Sequence, residues 1–249
     1  MNTRHQVYES IGVGYASARR PDPPIHLLIV DALGDARTVL NVGAGGGNYE
    51  PSERSVIAVE PSLRMISQRR YGSGPALQVV AEALPFSNKS FDAALATFTL
   101  HHWTNVSAGL LELKRVAKRQ VILLFEPAES LKLWLVEYFP ECLALPSETG
   151  APGVNDVRPV LDVRNVSPVP VPADCTDGFA GAYWRRPEAY LDPVVRAGIS
   201  SLALLSPNHS ERGARRLREG LASAEWDARF GFLGELPEFD LGYRLVVAG

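Results

Sequence analysis

Short, almost uninterrupted apolar runs alternate with longer amphipathic stretches along most of the chain. Val39, Leu40 and Val42 form one such run and Ser55 to Val59 another, the pattern of parallel strands covered on both faces. Further runs at Leu77 to Val80, Ala93 to Leu100, Gln120 to Phe125, Val166 to Val171 and Leu241 to Ala248 bring the candidate strands to seven. Helical spacing belongs to Ile25 to Leu33, to Leu63, Ile66 and Arg70, and to the stripe Val106, Leu110, Leu113 and Ala117. The alternation predicts an α/β fold built on a mostly parallel sheet with helices on both faces.

Two segments break the alternation. Residues 1 to 24 hold Tyr8, Tyr15, Arg19 and Arg20 ahead of Pro21-Asp22-Pro23-Pro24, which suits an N-terminal cover, either a lid over a ligand or a surface helix packed on the core. Between Asp174 and Pro237 the aromatics Phe179, Tyr183, Trp184, Tyr190, Trp226 and Phe230 fall on mostly helical spacings, so residues 172–237 form a helical cap inserted before the last strand. The sheet core then comprises 25–171 and 238–249, all within one domain. Inside it, an apolar helix is expected around Leu131, Leu133, Trp134, Leu135 and Tyr138, and another over Asn155 to Val163.

The gap between the first two strands carries the candidate chemistry. Gly43, Gly45 and Gly47 accept positive φ and let backbone approach a ligand closely, while Glu60 follows 17 residues after Gly43 at the end of the second strand. A carboxylate there suits both hydroxyls of a ribose. The spacing is G-x-G-x-G followed by Asn48, Tyr49, Glu50 and Pro51, not the G-x-G-x-x-G of a dinucleotide site, and a pyrophosphate beside Glu50 is unfavourable. A nicotinamide oxidoreductase is accordingly the weakest reading. A second motif follows the third strand: Ala81-Glu82-Ala83-Leu84-Pro85-Phe86, a Ser87-Asn88-Lys89-Ser90 turn, then Phe91-Asp92.

These two motifs, in this order and spacing, resemble the class I S-adenosylmethionine-dependent methyltransferases of small-molecule type, over Val39 to Glu126. The resemblance implies a Rossmann-like, seven-stranded, mostly parallel sheet. It implies S-adenosyl-L-methionine as donor and S-adenosyl-L-homocysteine as product, held by Tyr15, Asn41, Gly43, Ala44, Gly45, Gly47, Glu60, Pro61, Met65, Ala81, Glu82 and Thr97. Two positions depart from the family pattern, since Asn41 and Val80 stand where carboxylates are common.

Methyl transfer from a sulfonium needs little acid catalysis, but a hydroxyl or protonated amine acceptor needs a base. His101 and His102 follow the fourth strand and are the candidates. Adjacent residues on an extended strand face opposite sides, so one of them reaches the pocket, and His101 is preferred. Tyr8, Trp103, Glu126, Tyr183 and Trp184 are candidate acceptor contacts. The arginine pairs Arg19-Arg20 and Arg185-Arg186 have the fork that matches a carboxylate and equally suit an exposed surface.

Composition narrows the field further. At 249 residues with 46% hydrophobic content the chain can bury a large core, and a net charge of −3 offers no footprint for nucleic acid. Cys142 and Cys175 lie outside any metal-ligand spacing, which points to reduced thiols, a cytoplasmic protein and no metal. No apolar run is long enough to span a bilayer. The expected partner is a small-molecule substrate, with neither nucleic acid nor membrane; the sequence assigns no oligomeric state. Two rivals use the same fold: an enzyme that binds the cofactor but acts as cyclase, isomerase or decarboxylase, and a non-catalytic binding subunit.

Overall fold

The computed structural model describes residues 19–70, 72–130 and 133–249. In chain order the elements that matter are helix α1 (Pro23–Leu33), strands β1 (Thr38–Val42) and β2 (Ser55–Val59), the one-turn helix α2 (Leu63–Ile66), β3 (Ala76–Leu77), β4 (Phe91–Thr97), helix α3 (Val106–Val116) and β5 (Ala117–Phe125). After them come β6 (Val163–Pro168), β7 (Val171–Pro172), helices α4 (Pro207–Ala222) and α5 (Glu225–Phe230), β8 (Glu238–Phe239) and β9 (Tyr243–Ala248).

The main sheet has seven strands in the order β3-β2-β1-β4-β5-β9-β6. Pairings among β1 to β5 are parallel, whereas β9 runs antiparallel to both β5 and β6, so the sheet is mostly parallel as expected. Strand order reverses between β1 and β4, and the carboxyl ends flanking that point form the crevice where open α/β sheets bind ligands. Successive residues of each strand feed opposite cores. Val39, Leu95, Val121 and Leu123 pack with Ile25, Ile29 and Leu33 of α1, while Leu40, Val42, Ala96 and Ile122 pack with Leu110 and Leu113 of α3.

The start of α1 corrects one boundary. The Asp22 carboxylate accepts the Ile25 amide at 3.4 Å, and Pro23 and Pro24 fill the first turn, where no intrahelical donor is required. Pro21 to Pro24 therefore launches the helix and does not sever a cover from it. The expected third strand contracts to Ala76–Leu77, and the sixth lies at Val163–Pro168, earlier than the expected Val166 to Val171. The helix expected over 155–163 is only the turn Val154–Val157, because Pro159 cannot continue it. The fourth strand stops at Thr97, since Phe98 adopts φ 52° and turns the chain.

Lys114, Arg115, Lys118 and Arg119, whose clustering suggests a solvated helix end, divide between α3 and β5; Lys114 and Lys118 are exposed, while Arg115 and Arg119 are half-buried. Arg115 donates to the carbonyls of Leu84 and Phe86 and pairs with Glu112, Lys118 pairs with Asp92, and Arg119 donates to Ala32 O at the end of α1. The basic residues thus tie two loops and a helix to the sheet edge opposite the crevice.

Between β7 and β8, which pair with each other, the chain is helices and turns. It packs on the α1 side of the sheet in one continuous core. Trp134 sits at its centre, edge-on to Tyr138, Tyr190 and Trp226 at 5.4–5.9 Å, with its indole N–H donated to Trp184 O at 2.8 Å. Among the described residues no helix is long and apolar enough to cross a membrane, and no group of three or more His, Cys, Asp or Glu is placed to hold a metal ion.

Candidate functional site

The glycine loop leaves β1 at Val42 and is pinned to the end of β2: the Gly43 and Ala44 amides both donate to Val59 O, at 2.9 and 3.1 Å. Gly43 takes φ 68°, and a Cβ there would overlap the Thr99 hydroxyl, so backbone conformation and close approach both require glycine. Glu60, 6% exposed, braces the loop from the next strand. Its Oε2 accepts the Gly45 amide and its Oε1 the Ser62 amide, each at 2.9 Å. Ser62 in turn caps α2 through the Met65 amide.

Around this loop lies a cleft of roughly 800 Å³ including its open mouth. Its lining follows the strand order across the sheet edge: Ala81 after β3, Glu60, Pro61 and Met65 after β2, Gly43, Ala44 and Gly45 after β1, and Thr97, Phe98, Thr99, His102 and Trp103 after β4. Of the residues expected to hold the donor, Gly43, Ala44, Gly45, Glu60, Pro61, Met65, Ala81 and Thr97 come together here. Asn41 lies beneath, fully buried, donating to Glu50 at 2.9 Å while its Oδ1 has no partner among the described residues.

Other expectations are corrected. Gly47 does not line the cleft; it packs against the ion pair that Arg69 makes with Glu50 at 2.8 and 2.9 Å. Glu50 is thereby neutralised, so its charge no longer argues against a pyrophosphate. The stronger argument is that residues 43–54 contain no helix, which removes the N-terminal dipole that a dinucleotide needs. Glu82 turns away from the cleft to accept the Thr104 and Asn105 amides at 2.7 and 3.0 Å. Glu126 accepts the Val154 amide at 2.7 Å and supports that turn instead of a ligand. Trp184 is core, its indole N–H shared between Val171 O and Pro172 O. Tyr183 lines neither the cleft nor the second cavity and lies under the Arg186 guanidinium, edge-on to Tyr190. Trp103 is buried in the cleft wall with its ring close against Gly109. Tyr8 and Tyr15 lie outside the described residues.

The histidines differ from the strand picture altogether. Leu100–His102 is a 3₁₀ turn, so the two rings lie on one side with centroids 3.8 Å apart. His102 borders both the cleft and a second cavity of about 560 Å³ including its open mouth; the preferred His101 borders only the second. Phe98 and Arg19 are the other residues common to both spaces. Phe98 at φ 52° is in a costly conformation for an aromatic residue, held by its amide bond to Leu123 O at 2.8 Å.

Arg19 is not poised for a carboxylate ligand, because Asp177 already takes it through bonds of 2.7 and 3.0 Å. The same carboxylate accepts the Tyr49 hydroxyl at 2.9 Å, and both members of the ion pair are buried. Burial, and then the negative charge of Asp177, hold the Tyr49 phenol far above its ordinary range. Arg185 and Arg186 donate to the main chain, at Leu236 O and at Cys175 O and Ala182 O. Sequence reasoning missed Tyr49, Phe98 and Thr99 as lining residues, although their places just past β1 and β4 at the reversal of strand order were a usable signal.

A family profile described as "Methyltransferase domain" matches residues 40–125. The demethylmenaquinone methyltransferase of Renibacterium salmoninarum is 35% identical over 99 residues, which cover 36% of this chain and 42% of that one. An uncharacterised Methanocaldococcus jannaschii protein is 30% identical over 112 residues, 44% of this chain and 45% of its own. The chain thus spans under half the length of these curated relatives. Among solved structures, an Anabaena variabilis protein described as a methyltransferase from an antibiotic biosynthesis pathway superposes with a TM-score of 0.85 at 31% identity, covering 93% of this chain and 99% of that one. Geranyl diphosphate C-methyltransferase from Streptomyces coelicolor, crystallised with S-adenosyl-L-homocysteine, shares the fold at 13% identity with a TM-score of 0.50, over 90% and 77% of the two chains.

Proposed function

Because the chain belongs to the class I S-adenosylmethionine-dependent methyltransferase family, we propose that it transfers a methyl group to a small-molecule acceptor carrying an O-, N- or C-nucleophile. The observation that carries this reading is Glu60, held by the Gly45 and Ser62 amides at the wall of a cleft whose strand order and glycine backbone suit an adenosyl group. S-adenosylmethionine, when bound, supplies a methyl on a positively charged sulfur that departs as a neutral thioether.

The protein's own contributions are positional. Glu60 takes the ribose hydroxyls, Met65 and Ala81 flank the base, and the Gly43–Gly45 backbone with Asn41 Oδ1 beneath it receives the amino-acid end. The aromatic faces of Phe98 and Trp103 suit a sulfonium. The acceptor approaches through the second cavity, where one of the paired histidines takes the proton that its hydroxyl or amine must lose. His102, bordering both spaces, is placed for that better than His101. Residues 172–237 act as the acceptor-defining cap over a core of 25–171 and 238–249, and a cytoplasmic location belongs to the same reading.

Isothermal titration with S-adenosylhomocysteine tests the cleft, with one-to-one binding expected and its absence decisive against the reading. Incubation with methyl-labelled donor and candidate acceptors tests the transfer; product without label would favour the non-methylating rival. In active protein, His102→Gln is expected to lower kcat more than His101→Gln, and undiminished turnover in both removes histidine from the chemistry.

A further inference from the structure

Beyond the donor cleft, two more cavities follow in line. The second shares Arg19, Phe98 and His102 with the donor cleft, and a third of about 530 Å³ shares Glu148, Ala180, Ser201 and Tyr243 with the second. The walls change character along this line. Nearest the cleft are the histidines and the rings of Phe98, Phe125 and Phe179; Phe179 and Tyr243 pack edge-to-face at 4.9 Å. Past the shared residues the wall turns aliphatic, made chiefly of Leu133, Leu135, Val136 and Leu241.

Among the described residues, few charges face the second and third cavities. Arg19 is the cation among them, and the buried Asp177 pairs with it. Glu148 is the carboxyl there, at the boundary of the two cavities, and its only hydrogen bond among the described residues is a long 3.4 Å one from Ser147 Oγ. Burial pushes its carboxyl above the ordinary range, toward the neutral acid. Among the described residues an anionic acceptor finds no unneutralised arginine to meet it, and a long apolar one finds rings and then aliphatic side chains along most of the wall.

We infer, resting on the methyltransferase reading above, that the acceptor is an uncharged elongated molecule. Its hydroxyl-bearing end occupies the second cavity against the histidine pair, and its apolar tail passes Ala180 and Ser201 into the third. Glu148 stands at the neck between the two cavities.

A series of 4-alkylphenols, from 4-ethylphenol to 4-nonylphenol, tests this on the full chain by titration with and without S-adenosylhomocysteine. Affinity is expected to rise roughly fourfold per methylene and then level off once the third cavity is filled. Analogues ending in a carboxylate or an ammonium are expected to bind at least tenfold more weakly than the alkyl compound of equal length. Ala180→Phe at the neck and Val136→Phe in the third cavity are each expected to flatten the chain-length dependence while leaving S-adenosylhomocysteine affinity unchanged.

Affinity indifferent to chain length, charged analogues binding as well as neutral ones, or a length dependence equally steep in both variants would each overturn the inference. Failure of every phenol to bind would do the same. Failure of S-adenosylhomocysteine alone strikes the donor reading, and the phenol series without it still decides the nature of these cavities.

Discussion

Replacing Glu60 by glutamine changes one oxygen into an amide nitrogen without altering the shape of the side chain. In the native arrangement Oε1 and Oε2 each accept a backbone amide at 2.9 Å, from Ser62 and Gly45. Glutamine keeps one of these bonds and sets its own N–H group against the other amide, leaving a donor unsatisfied at a site that is 6% exposed. A hydrogen bond to a charged group contributes about 1.5–3 kcal/mol, and an orphaned buried amide costs about 1–3 kcal/mol. Part of that loss falls on the apo loop and lowers its stability. The remainder falls on the ribose, which exchanges a carboxylate for a weaker neutral acceptor. S-adenosylhomocysteine affinity should therefore drop by about 10- to 100-fold in Glu60→Gln and further in Glu60→Ala, since 1.4 kcal/mol corresponds to tenfold. Calorimetric titration supplies the affinity, and thermal melts with and without ligand separate it from loop stability. Glu60→Gln binding within threefold of the parent, at full stoichiometry, would refute the reasoning and leave the carboxylate a purely structural brace.

Asp177→Asn removes the charge partner of buried Arg19 and weakens the bond from Tyr49, so a stability loss of about 3–5 kcal/mol is expected in urea melts; a loss below 1 kcal/mol would contradict the buried network. Burial pushes both cysteine thiols up to about 12, so native protein at pH 8 should resist a thiol reagent that labels both rapidly in urea, and stoichiometric labelling of the native chain would be inconsistent with their placement. Glu148 has a folded pKa raised by burial, so its proton favours the folded state below the ordinary carboxylate range and that contribution is lost as pH rises through the folded value. Glu148→Gln should thus match the parent at pH 4 and exceed it in stability at pH 8, and the opposite order would show the carboxylate to be favourably paired.

The candidate donor site was legible in sequence because its determinants are local. The glycine loop and Glu60 belong to one strand-loop-strand unit, and the strand order places Ala81 and Thr97 beside them by topology alone. What failed was orientation within irregular backbone. Gly47 and Glu82 sit in stretches whose residue types suit a ligand, but each finds a nearer partner: Gly47 the Glu50–Arg69 pair, and Glu82 the amides of Thr104 and Asn105. The two histidines follow an apolar run that reads as continuous strand, and only the left-handed turn at Phe98 reveals that the chain has already left the sheet.

The proposed acceptor side was harder because its parts are distant along the chain. Arg19 and Asp177 are separated by 158 positions, and no spacing rule joins them. Their pairing nonetheless governs how the molecule works. Tyr49 closes the glycine loop at φ 62°, a conformation that a tyrosine adopts only when its surroundings hold it there, and the hold is its hydroxyl bond to Asp177. Asp177 lies in the segment between β7 and β8, whereas Tyr49 lies in the crossover between β1 and β2. Arg19, bound to the same carboxylate, borders both the donor cleft and the second cavity. Loss of the bond between Asp177 and Tyr49 is therefore expected to loosen the glycine loop of the proposed donor site. Asp177→Asn should on this argument weaken S-adenosylhomocysteine binding although residue 177 does not line the donor cleft. A variant that loses stability but keeps its affinity for S-adenosylhomocysteine would show that cap and loop are adjacent without being coupled.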